Sequence, residues 1–489
     1  MEVTRGMPTL AELMNAVDPI AIDGEASAIV RGLASDSRQV EAGDVFFAVR
    51  GEADDGTRYI EDAVGRGASA VVVEPGVDVP AGATSVRVAD VRRAKALAAA
   101  SFFGEPSGTI PVVGITGTNG KTTTAWMLRS IAAYDGGPTA LFGTISHEVA
   151  GRQFASVNTT PDAIDIQRQL GYAVRRGARL AIMEVSSHAM VQQRVAGIDF
   201  RAAVFTNLAP EHLDFHGTIE EYRAAKARLF EELDPSSVAI VNGDDEHAAA
   251  IVANSPARVV RFGEGGDVTA DVRRLDKDGA SFVLNTPYGA ADIVTRLPGR
   301  HNLENAIAAA TTAVELGYPL DSVRGGFLLL KGVPGRLEPI ECGQDFRVFV
   351  DYAHTDHALE HVLGNLRSLT RGRVITVFGC GGDRDRTKRP RMGNVAATFS
   401  DLAIATSDNP RTEDPSAILR EIEAGVPAGA ALEVVPSRED AIRRALGAAR
   451  GGDIVLIAGK GHERVQLGAL EAREFDDRAV AREILWNLS

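Results

Sequence analysis

A glycine-rich segment at residues 114–123 carries the most specific chemical pattern in the chain. Its sequence is GITGTNGKTT, and it follows a predicted buried strand and opens a predicted helix. Glycines let backbone N–H groups wrap phosphate oxygens, and the helix N-terminus adds a favourable dipole. Lys121 can neutralise the β- and γ-phosphates, and the Thr122 hydroxyl can ligate Mg²⁺. The strict P-loop pattern expects glycine where Ile115 stands, so a glycine-rich turn without a ligand is the alternative.

Acids and histidines follow two later predicted strands. Glu184 ends one of these strands, and His212 follows the next, with a second histidine and two acids nearby. Open α/β sheets bind ligands at the carboxyl ends of their strands, and carboxylate oxygens suit Mg²⁺. By spacing alone, a solvated glutamate and an ordinary charged surface explain the pattern equally well, so a metal site is one of two interpretations.

Lysine is scarce in this chain. Of the 52 cationic residues only seven are lysine, at positions 95, 121, 226, 277, 331, 388 and 460. An exposed surface usually tolerates either cation, whereas a compact ammonium or a deprotonatable amine requires lysine. The seven lysines are therefore candidates for chemistry. For Lys226, the alternative is an ordinary exposed lysine on a helix.

Composition excludes several classes of protein. The 489 residues carry 52 Lys+Arg and 66 Asp+Glu, a net charge of −14, which argues against broad binding to nucleic acid. Two cysteines exclude a disulfide framework and fit a reducing compartment. The N-terminus lacks the pattern of a signal peptide, and no apolar run approaches the ~18 residues of a membrane span. We expect a cytoplasmic protein.

The order of predicted elements indicates an α/β protein with three domains, at 1–106, 107–334 and 335–489. Strands alternate with helices in the middle domain, which predicts a mainly parallel sheet covered on both faces, interrupted by β-hairpins at 268–297. The alternation restarts at residue 346 as a second, Rossmann-like α/β domain.

The glycine-rich loop resembles the ATP-binding loop of the Mur ligase family, whose members form amide bonds in peptidoglycan synthesis. The resemblance implies a UDP-binding N-terminal domain, a central P-loop ATPase-like domain and a C-terminal Rossmann-like domain that binds the amino acid. It assigns ATP contacts to Gly117, Thr118, Asn119, Gly120, Lys121, Thr122, Thr123, Asn302, Arg336 and Asp351. Without the resemblance, the segment around Asn302 is a helix cap.

The resemblance also gives Lys226 a role. The matching lysine of the family is carbamylated by CO₂, and the anionic carbamate helps to hold the second of two Mg²⁺ ions. Thr122, Glu184 and His212 match the other metal ligands, and Lys121, Glu184, His212 and Lys226 the catalytic residues. The family usually has Asp where Glu211 stands, and Pro followed by Asp or Asn where Asp356 and His357 stand.

Substrate positions follow from the same resemblance, which is closest to the members that add a diamino acid. Residues matching the UDP-MurNAc-dipeptide site are Ser37, Asn158, Thr159, Thr160, Ser186, Gln192 and Arg194. Residues matching the amino-acid site are Arg389, Asp408, Asn409, Arg411, Gly459 and Glu463. Taken without the resemblance, these are polar turns and charged or glycine-rich loops at strand ends.

Arg411 bears on the identity of the amino acid. An arginine can grip a carboxylate through two parallel hydrogen bonds, and meso-diaminopimelate differs from L-lysine by one carboxylate. Glu463 could bind the distal ammonium, and Arg389 the carboxylate near the reacting amine. The pattern favours meso-diaminopimelate, with L-lysine or another diamino acid as the alternative.

The resulting expectation is a monomeric ligase with small-molecule substrates, namely ATP, UDP-MurNAc-L-Ala-D-Glu and meso-diaminopimelate, and with no nucleic-acid partner. ATP would phosphorylate the D-Glu γ-carboxylate, and the amine would attack the acyl phosphate. The alternatives are another ligase of the family, a P-loop ATPase or switch module that binds a protein partner, and a non-catalytic scaffold.

Overall fold

The computed structural model describes residues 6–51, 54–154, 158–469 and 471–488. The helices are α1 (Leu10–Met14), α2 (Ile60–Gly65), α3 (Val91–Phe102), α4 (Lys121–Asp135), α5 (Ala163–Arg175), α6 (Ser187–Val191), α7 (Leu213–His216), α8 (Ile219–Glu231), α9 (Ala248–Ile251), α10 (Arg300–Glu315), α11 (Leu320–Leu329), α12 (Asp356–Leu369), α13 (Lys388–Phe399), α14 (Pro415–Glu423), α15 (Arg438–Ala448) and α16 (Asp477–Leu488).

The strands are β1 (Ala21–Asp23), β2 (Gly32–Ala34), β3 (Asp44–Phe47), β4 (Ala70–Val73), β5 (Ser85–Arg87), β6 (Val112–Thr116), β7 (Thr139–Phe142), β8 (His147–Val149), β9 (Arg152–Phe154), β10 (Leu180–Glu184), β11 (Phe200–Phe205), β12 (Val238–Asn242), β13 (Arg258–Phe262), β14 (Thr269–Asp276), β15 (Gly279–Thr286), β16 (Gly289–Thr295), β17 (Glu338–Pro339), β18 (Arg347–Asp351), β19 (Val374–Phe378), β20 (Leu402–Ala405), β21 (Leu432–Val434), β22 (Ile454–Ala458), β23 (Val465–Leu467) and β24 (Ala472–Glu474).

The chain forms two compact units. The first comprises Met1–Val268 with Ala308–Tyr318, and the second comprises Thr269–Ile307 with Pro319–Ser489. Within the described ranges, none of the helices combines the length and apolar character needed to cross a bilayer.

The first unit contains two sheets. The N-terminal sheet has the order β1-β5-β4-β3-β2, with only β1 antiparallel to its neighbour. The central sheet has the order β13-β12-β11-β6-β10-β7-β8-β9, and its six strands from β13 to β7 are parallel. Every residue of β6, β10 and β12 is buried, as expected for strands covered on both faces. The predicted mainly parallel sheet is therefore confirmed.

Element boundaries differ from the predicted ones for local reasons. The strand before the glycine-rich loop was expected from residue 110, but β6 begins at Val112, directly after Pro111, which has no N–H to donate. The helix carrying Lys226 was expected from residue 222, but α8 begins at Ile219. There the Thr218 side chain accepts a hydrogen bond from the Glu221 N–H and caps the first turn.

The second unit also contains a parallel sheet. Its order is β17-β18-β22-β19-β20-β21, and only β17 is antiparallel. The hairpins predicted at 268–297 form the antiparallel sheet β14-β15-β16, and β23 pairs with β24. The carboxyl ends of β18, β19, β20 and β22 lie on one edge of the large sheet, which is where the predicted ligand loops follow.

A buried ion pair joins two helices of this unit. Arg438 at the start of α15 donates from Nε and Nη2 to the two carboxylate oxygens of Asp477 at the start of α16, each at 2.7 Å. Both side chains are completely buried, and Nη2 also donates to the Ala458 carbonyl at the end of β22 at 2.9 Å. The pair therefore ties both helices to the strand that precedes the Gly459 loop.

Asp477→Ala should lower the free energy of unfolding by about 3–5 kcal/mol, because it removes the carboxylate bonded to a buried guanidinium and leaves that guanidinium with the more distant Asp408, at 3.9 Å. Urea unfolding followed by circular dichroism measures the change. The matched control is Glu439→Ala, which breaks the exposed pair with Arg443 on α15 and should cost no more than about 1 kcal/mol. Equal losses in the two variants would contradict the role given to the buried pair.

Candidate active site

The glycine-rich loop is pinned to the end of the neighbouring strand β11. The Thr118 N–H donates to the Asn207 carbonyl at 2.8 Å, and the Asn119 N–H donates to Asn207 Oδ1 at 2.9 Å. The Thr206 hydroxyl donates to the Asn119 carbonyl at 2.6 Å. Adjacent parallel strands end at the same edge of the sheet, and this adjacency allows the two loops to lock together.

Gly117 is the tightest point of that contact. Its φ of +148° lies in a region that side chains rarely adopt, and a Cβ there would overlap the Thr206 hydroxyl. The Lys121 side chain folds back over the loop and donates to the Gly117 and Thr118 carbonyls, both at 2.8 Å. The ammonium thus lies beside the loop, where a phosphate would need charge neutralisation.

Glu184 ends β10, the strand on the other side of β6. Its carboxylate accepts hydrogen bonds from the Thr122 hydroxyl at 2.9 Å and from the Thr144 N–H and hydroxyl at 3.0 Å each. Only 1% of its surface is exposed. A hydroxyl and a carboxylate in contact at the start of α4 form a pair of hard oxygen donors, as Mg²⁺ prefers.

Lys226 is buried beneath the same loop, which excludes the interpretation of an exposed helix lysine. Its Nζ donates to the Gly117 carbonyl at 3.0 Å and lies 4.2 Å from the centre of the Tyr222 ring, one helical turn earlier on α8. Burial, and then the charge of Lys121, lower the pKa of Lys226 well below its ordinary value. Both effects favour the deprotonated amine of Lys226 over its ammonium.

His212 faces the same pocket from a left-handed backbone conformation. Burial lowers its pKa, the charge of Glu211 raises it, and the charges of Lys121 and Lys226 lower it. Glu211 Oε2 lies 3.9 Å from His212 Nε2, so the glutamate found in place of the usual aspartate still faces the imidazole.

Five of the predicted UDP-sugar-peptide residues lie around the end of β10. The Thr160 hydroxyl donates to the Glu184 carbonyl at 2.8 Å and accepts the Ser186 N–H at 3.1 Å. Arg194 donates to the Thr160 carbonyl at 2.8 Å and to Gln192 Oε1 at 2.6 Å. The Thr159 and Thr144 hydroxyls are 3.1 Å apart, which connects this cluster to the Glu184 carboxylate.

The other two UDP-sugar-peptide residues have different neighbours. The Asn158 carbonyl is 3.2 Å from His147 Nε2. Ser37 is buried in the N-terminal domain, where its side chain forms a hydrogen bond with Asp62.

Lys95 is one of the seven lysines that the composition singled out, but no motif gave it a role. Lys95, on α3, forms an ion pair with Asp162 directly after the Thr159–Thr160 turn, and so joins the N-terminal domain to this cluster.

In the second unit, the predicted amino-acid residues meet at the ends of β20 and β22. Asn409 Nδ2 donates to Glu463 Oε2 at 2.8 Å, and Arg411 Nη1 donates to the Gly382 carbonyl at 2.8 Å. A Cβ at Gly459 would lie 2.8 Å from Asp408 Oδ2, so the absence of a side chain there lets the carboxylate approach. The structure thus assembles the predicted loops into one polar cluster.

Arg389 is engaged elsewhere. It is completely buried and donates to both carboxylate oxygens of Glu413, at 2.8 and 2.9 Å, and to Glu421 at 2.8 Å. The hydrogen bonds that Glu413 accepts from Arg389, and then the one from the Asp383 N–H, lower the pKa of Glu413 to about 2. A substrate carboxylate would have to compete with two glutamates for this guanidinium, and its role as a substrate contact stays a prediction.

Two of the predicted nucleotide contacts of this unit are adjacent at the start of the Rossmann-like domain. Burial raises the pKa of Asp351, and the charge of Arg336 opposes that rise. The Asp351 carboxylate accepts the Leu337 N–H at 2.7 Å. Asn302 holds the Pro298 carbonyl at 2.8 Å inside the first turn of α10.

Residues 356 and 357 differ from those usual in the family, but helix α12 still begins at residue 356. The Thr355 side chain accepts the Ala358 N–H at 3.2 Å and caps α12, and Asp356 forms an ion pair of 3.0 Å with Arg391 of α13. The usual proline is thus replaced by a side-chain contact between two helices.

Comparison with known proteins identifies the family of the chain. Three family models match the chain: "Mur ligase family, catalytic domain" at residues 29–102, "Mur ligase middle domain" at 115–313 and "Mur ligase, glutamate ligase domain" at 335–461. The chain is 45% identical over 493 residues to the UDP-N-acetylmuramoyl-L-alanyl-D-glutamate–2,6-diaminopimelate ligase of Geobacter metallireducens, an alignment covering 96% of each chain.

The chain belongs to the Mur ligase family. The ligase of the same name from Geobacillus kaustophilus is 45% identical over 461 residues, covering 92% of this chain and 94% of the relative. A solved structure of a UDP-N-acetylmuramoyl-L-alanyl-D-glutamate–2,6-diaminopimelate ligase covers 99% of each chain at 32% identity, with a TM-score of 0.71. The predicted α/β fold with N-terminal, central and C-terminal domains is thereby confirmed.

The donor set of this Mur ligase fits Mg²⁺. Among the residues that the structure describes, no group of three or more His, Cys, Asp and Glu side chains is arranged to hold a metal. The predicted set uses only Glu184 and His212 of these types. The Thr122 hydroxyl, 2.9 Å from Glu184 Oε2, is a further oxygen donor, and Lys226 is the remaining member of the predicted set.

Two residues outside the predicted set support this site. Thr144 holds both oxygens of Glu184, and Tyr222 lies under the amine of Lys226. The four-residue spacing of Tyr222 and Lys226 on a predicted helix is a signal that the sequence carries. Nothing comparable marks Thr144, whose contact depends on the pairing of β10 with β7.

Gly117→Ala should weaken nucleotide binding by about 10- to 100-fold, because the new methyl group must displace Thr206 or the loop itself. Calorimetric titration with a non-hydrolysable ATP analogue measures the affinity. The control is Gly136→Ala at the end of α4, where φ is +94° but a Cβ would have nothing within 4 Å. Its nucleotide affinity should match that of the wild type, and a similar loss in both variants would show that positive φ alone matters.

Proposed function

We propose that the protein ligates meso-diaminopimelate to the D-Glu γ-carboxylate of UDP-MurNAc-L-Ala-D-Glu, with hydrolysis of ATP to ADP and phosphate. The observation that carries the proposal is the buried Lys226 amine, whose Nζ lies 3.0 Å from the Gly117 carbonyl of the phosphate loop. A simple P-loop ATPase or switch has no use for such an amine. Relatives at 45% identity that are named for this ligation support the same reaction.

The first step is phosphoryl transfer, which needs alignment and charge neutralisation from the protein. The γ-carboxylate oxygen attacks the γ-phosphorus of ATP, the bond to the β-phosphate oxygen breaks, and ADP leaves. The N-terminus of α4, which begins at Lys121, orients the phosphates through its dipole, and the Lys121 ammonium offsets their charge. The cluster of Thr160, Ser186 and Arg194 holds the UDP-linked peptide at the end of β10.

We assign two Mg²⁺ ions to this pocket, one held by Thr122 and Glu184 and one by His212 and carbamylated Lys226. Mg²⁺ bound there would neutralise phosphate charge and orient the γ-phosphoryl group. The carbamate forms when the neutral Nζ attacks CO₂ and releases a proton, converting a buried amine into an anionic oxygen ligand. Arginine cannot make this conversion, which accounts for lysine in a chain rich in arginine.

In the second step, the amine of the amino acid attacks the acyl carbon, and phosphate leaves through a tetrahedral intermediate. Arg411 and the Asn409 amide are suited to the distal carboxylate of meso-diaminopimelate, and Glu463 to its distal ammonium. An L-lysine substrate would give Arg411 no carboxylate to bind. The other residues of our predicted site set, including Arg389 and Asp351, are proposed contacts of the same substrates.

We further propose a cytoplasmic monomer, because the proposed substrates, ATP and a UDP-linked precursor, are cytoplasmic and all the predicted site residues belong to one chain. The domain boundaries that we propose are 1–106 for UDP binding, 107–334 for ATP binding and 335–489 for the amino acid.

The decisive experiment incubates the purified protein with ATP, Mg²⁺ and UDP-MurNAc-L-Ala-D-Glu and compares phosphate release with meso-diaminopimelate, L-lysine and L-ornithine. Release that depends on meso-diaminopimelate is the expected result. Faster release with L-lysine would move the assignment to the lysine-adding reaction. Release without any UDP-linked substrate would favour the ATPase alternative, and no release with any amino acid would reject ligation.

Lys226→Arg should reduce kcat by at least about 100-fold, because the variant keeps a cation but cannot carry the carbamate. Phosphate release measures the rate. Carbon-13 NMR of protein equilibrated with labelled bicarbonate should give a carbamate resonance in the wild type and none in the variant. Lys277→Arg, on an exposed turn of the second unit, is the matched control and should be indistinguishable from the wild type. Full activity of Lys226→Arg would exclude the carbamate.

A further inference from the structure

Lys460 is a completely buried lysine that none of the proposed steps uses. It follows Gly459 in the turn after β22, and its exposed surface is 0%. Its Nζ donates to Asn409 Oδ1 at 3.0 Å, to Glu463 Oε2 at 3.0 Å and to the Val465 carbonyl at 2.8 Å. Three acceptors thus match the three donors of an ammonium, an arrangement that the planar fork of arginine would not reproduce.

The first of these bonds fixes the orientation of the Asn409 amide. Asn409 Oδ1 accepts from Lys460 Nζ and also from the Leu467 N–H at 2.9 Å. If the Asn409 amide were flipped, its N–H groups would face two other donors, Lys460 Nζ and the Leu467 N–H, and neither bond could form. Nδ2 therefore has to face Glu463, to which it donates at 2.8 Å, and its second N–H is available for a further acceptor.

The second bond fixes the orientation of the Glu463 carboxylate. Lys460 Nζ and Asn409 Nδ2 both donate to Oε2, while Oε1 accepts no hydrogen bond from the described residues. About 32% of the Glu463 side chain is exposed, so Oε1 is the oxygen offered to a ligand. The network thus presents one donor, on Asn409, and one anionic acceptor, on Glu463, at fixed positions.

A merely structural role explains this arrangement poorly. Burying an ion pair contributes little net stability compared with apolar packing, whereas such pairs can specify one arrangement of groups. Lys460 bonds to two of the side chains assigned to the amino acid, and its backbone follows Gly459, which packs against Asp408.

We propose that Lys460 is a positioning residue that sets selectivity for the distal end of the amino acid. It holds the Asn409 amide for a carboxylate and Glu463 Oε1 for an ammonium, so that a substrate must carry both groups on one carbon. The substrate class is therefore a diamino dicarboxylic acid with a zwitterionic distal end. The inference rests on the proposed ligase function and goes beyond it by assigning selectivity to a residue that does not touch the substrate.

The test compares steady-state phosphate release by wild-type protein and Lys460→Met. The KM for meso-diaminopimelate should rise by about 10- to 100-fold, because Glu463 and Asn409 lose a charge-assisted bond each. The KM for UDP-MurNAc-L-Ala-D-Glu should stay within about twofold, since its predicted contacts lie in the first unit. The KM for ATP should also stay within about twofold. The Gly459 N–H beside Lys460 reaches the Asp351 carbonyl through the backbone, whereas Lys460 Nζ bonds to Asn409, Glu463 and Val465. The kcat/KM ratio of meso-diaminopimelate to L-lysine should fall by at least about tenfold.

The matched control is Lys331→Met, which removes an exposed lysine of the same unit and should change none of these values. A double-mutant cycle with Glu463→Gln separates the mechanism from general damage. If Lys460 acts through Glu463, the two substitutions together should cost much less than the product of their separate effects. If Lys460→Met does not fold, Lys460→Gln, which lacks the charge but keeps an amide donor, takes its place in every measurement.

An unchanged meso-diaminopimelate KM and selectivity ratio would overturn the proposal, as would equal rises in the KM of all three substrates. Independent, multiplicative effects in the cycle would also count against it. Wild-type turnover is measured first. If the wild type shows no turnover, the ligase function is rejected. If the wild type turns over but Lys460→Met leaves the selectivity unchanged, only this inference is rejected.

Discussion

The site in the first unit depends on the approach of the glycine-rich loop to the end of β11. Gly117 leaves no space for a side chain beside Thr206, and its carbonyl accepts the buried amine of Lys226 from below. Lys121 bonds to the same carbonyl from its own helix. Two ammonium groups at one acceptor would repel each other. The charge of Lys121 therefore adds to the effect of burial in lowering the pKa of Lys226. The backbone path of the loop thus determines the chemistry of an amine more than a hundred positions later in the chain.

The second unit contains buried cations close to its predicted ligand loops. Arg438 ties the start of α15 and α16 to the last residue of β22, and Arg389 ties two glutamates to the loop at Gly381. Lys460 is a further buried cation, and it bonds to side chains of the candidate site itself. Loops at the carboxyl end of a parallel sheet lie beyond the hydrogen bonds that join the strands, so those bonds do not hold the loops in place. Charge-assisted hydrogen bonds from buried cations supply the rigidity that their backbone lacks.

Much of the fold could be predicted because its signals are local. The runs of apolar residues in β6, β10 and β22 mark strands buried on both faces, and the glycine-rich loop marks the start of α4. The predicted boundaries of β6 and α8 were wrong, because a single local interaction sets the first residue of each element. Pro111 delays β6, and the Thr218 cap starts α8 three residues early. The neighbours of Arg389 were beyond sequence reasoning, since nothing in the spacing shows that Glu413 and Glu421 converge on its guanidinium.

By itself, the sequence determined the order of strands and helices, the phosphate-loop pattern and the short set of lysines worth attention, because each of these depends on residues near one another in the chain. The tertiary structure alone decided the burial and the hydrogen-bond partners of those lysines. Lys226 is a buried amine with a lowered pKa because α8 packs beneath the loop that follows β6. Lys460 bonds to both Asn409 and Glu463 because β20 and β22 end at the same edge of the sheet. Burial and hydrogen-bond partners come from groups distant in sequence, and these control the charge and orientation of a side chain.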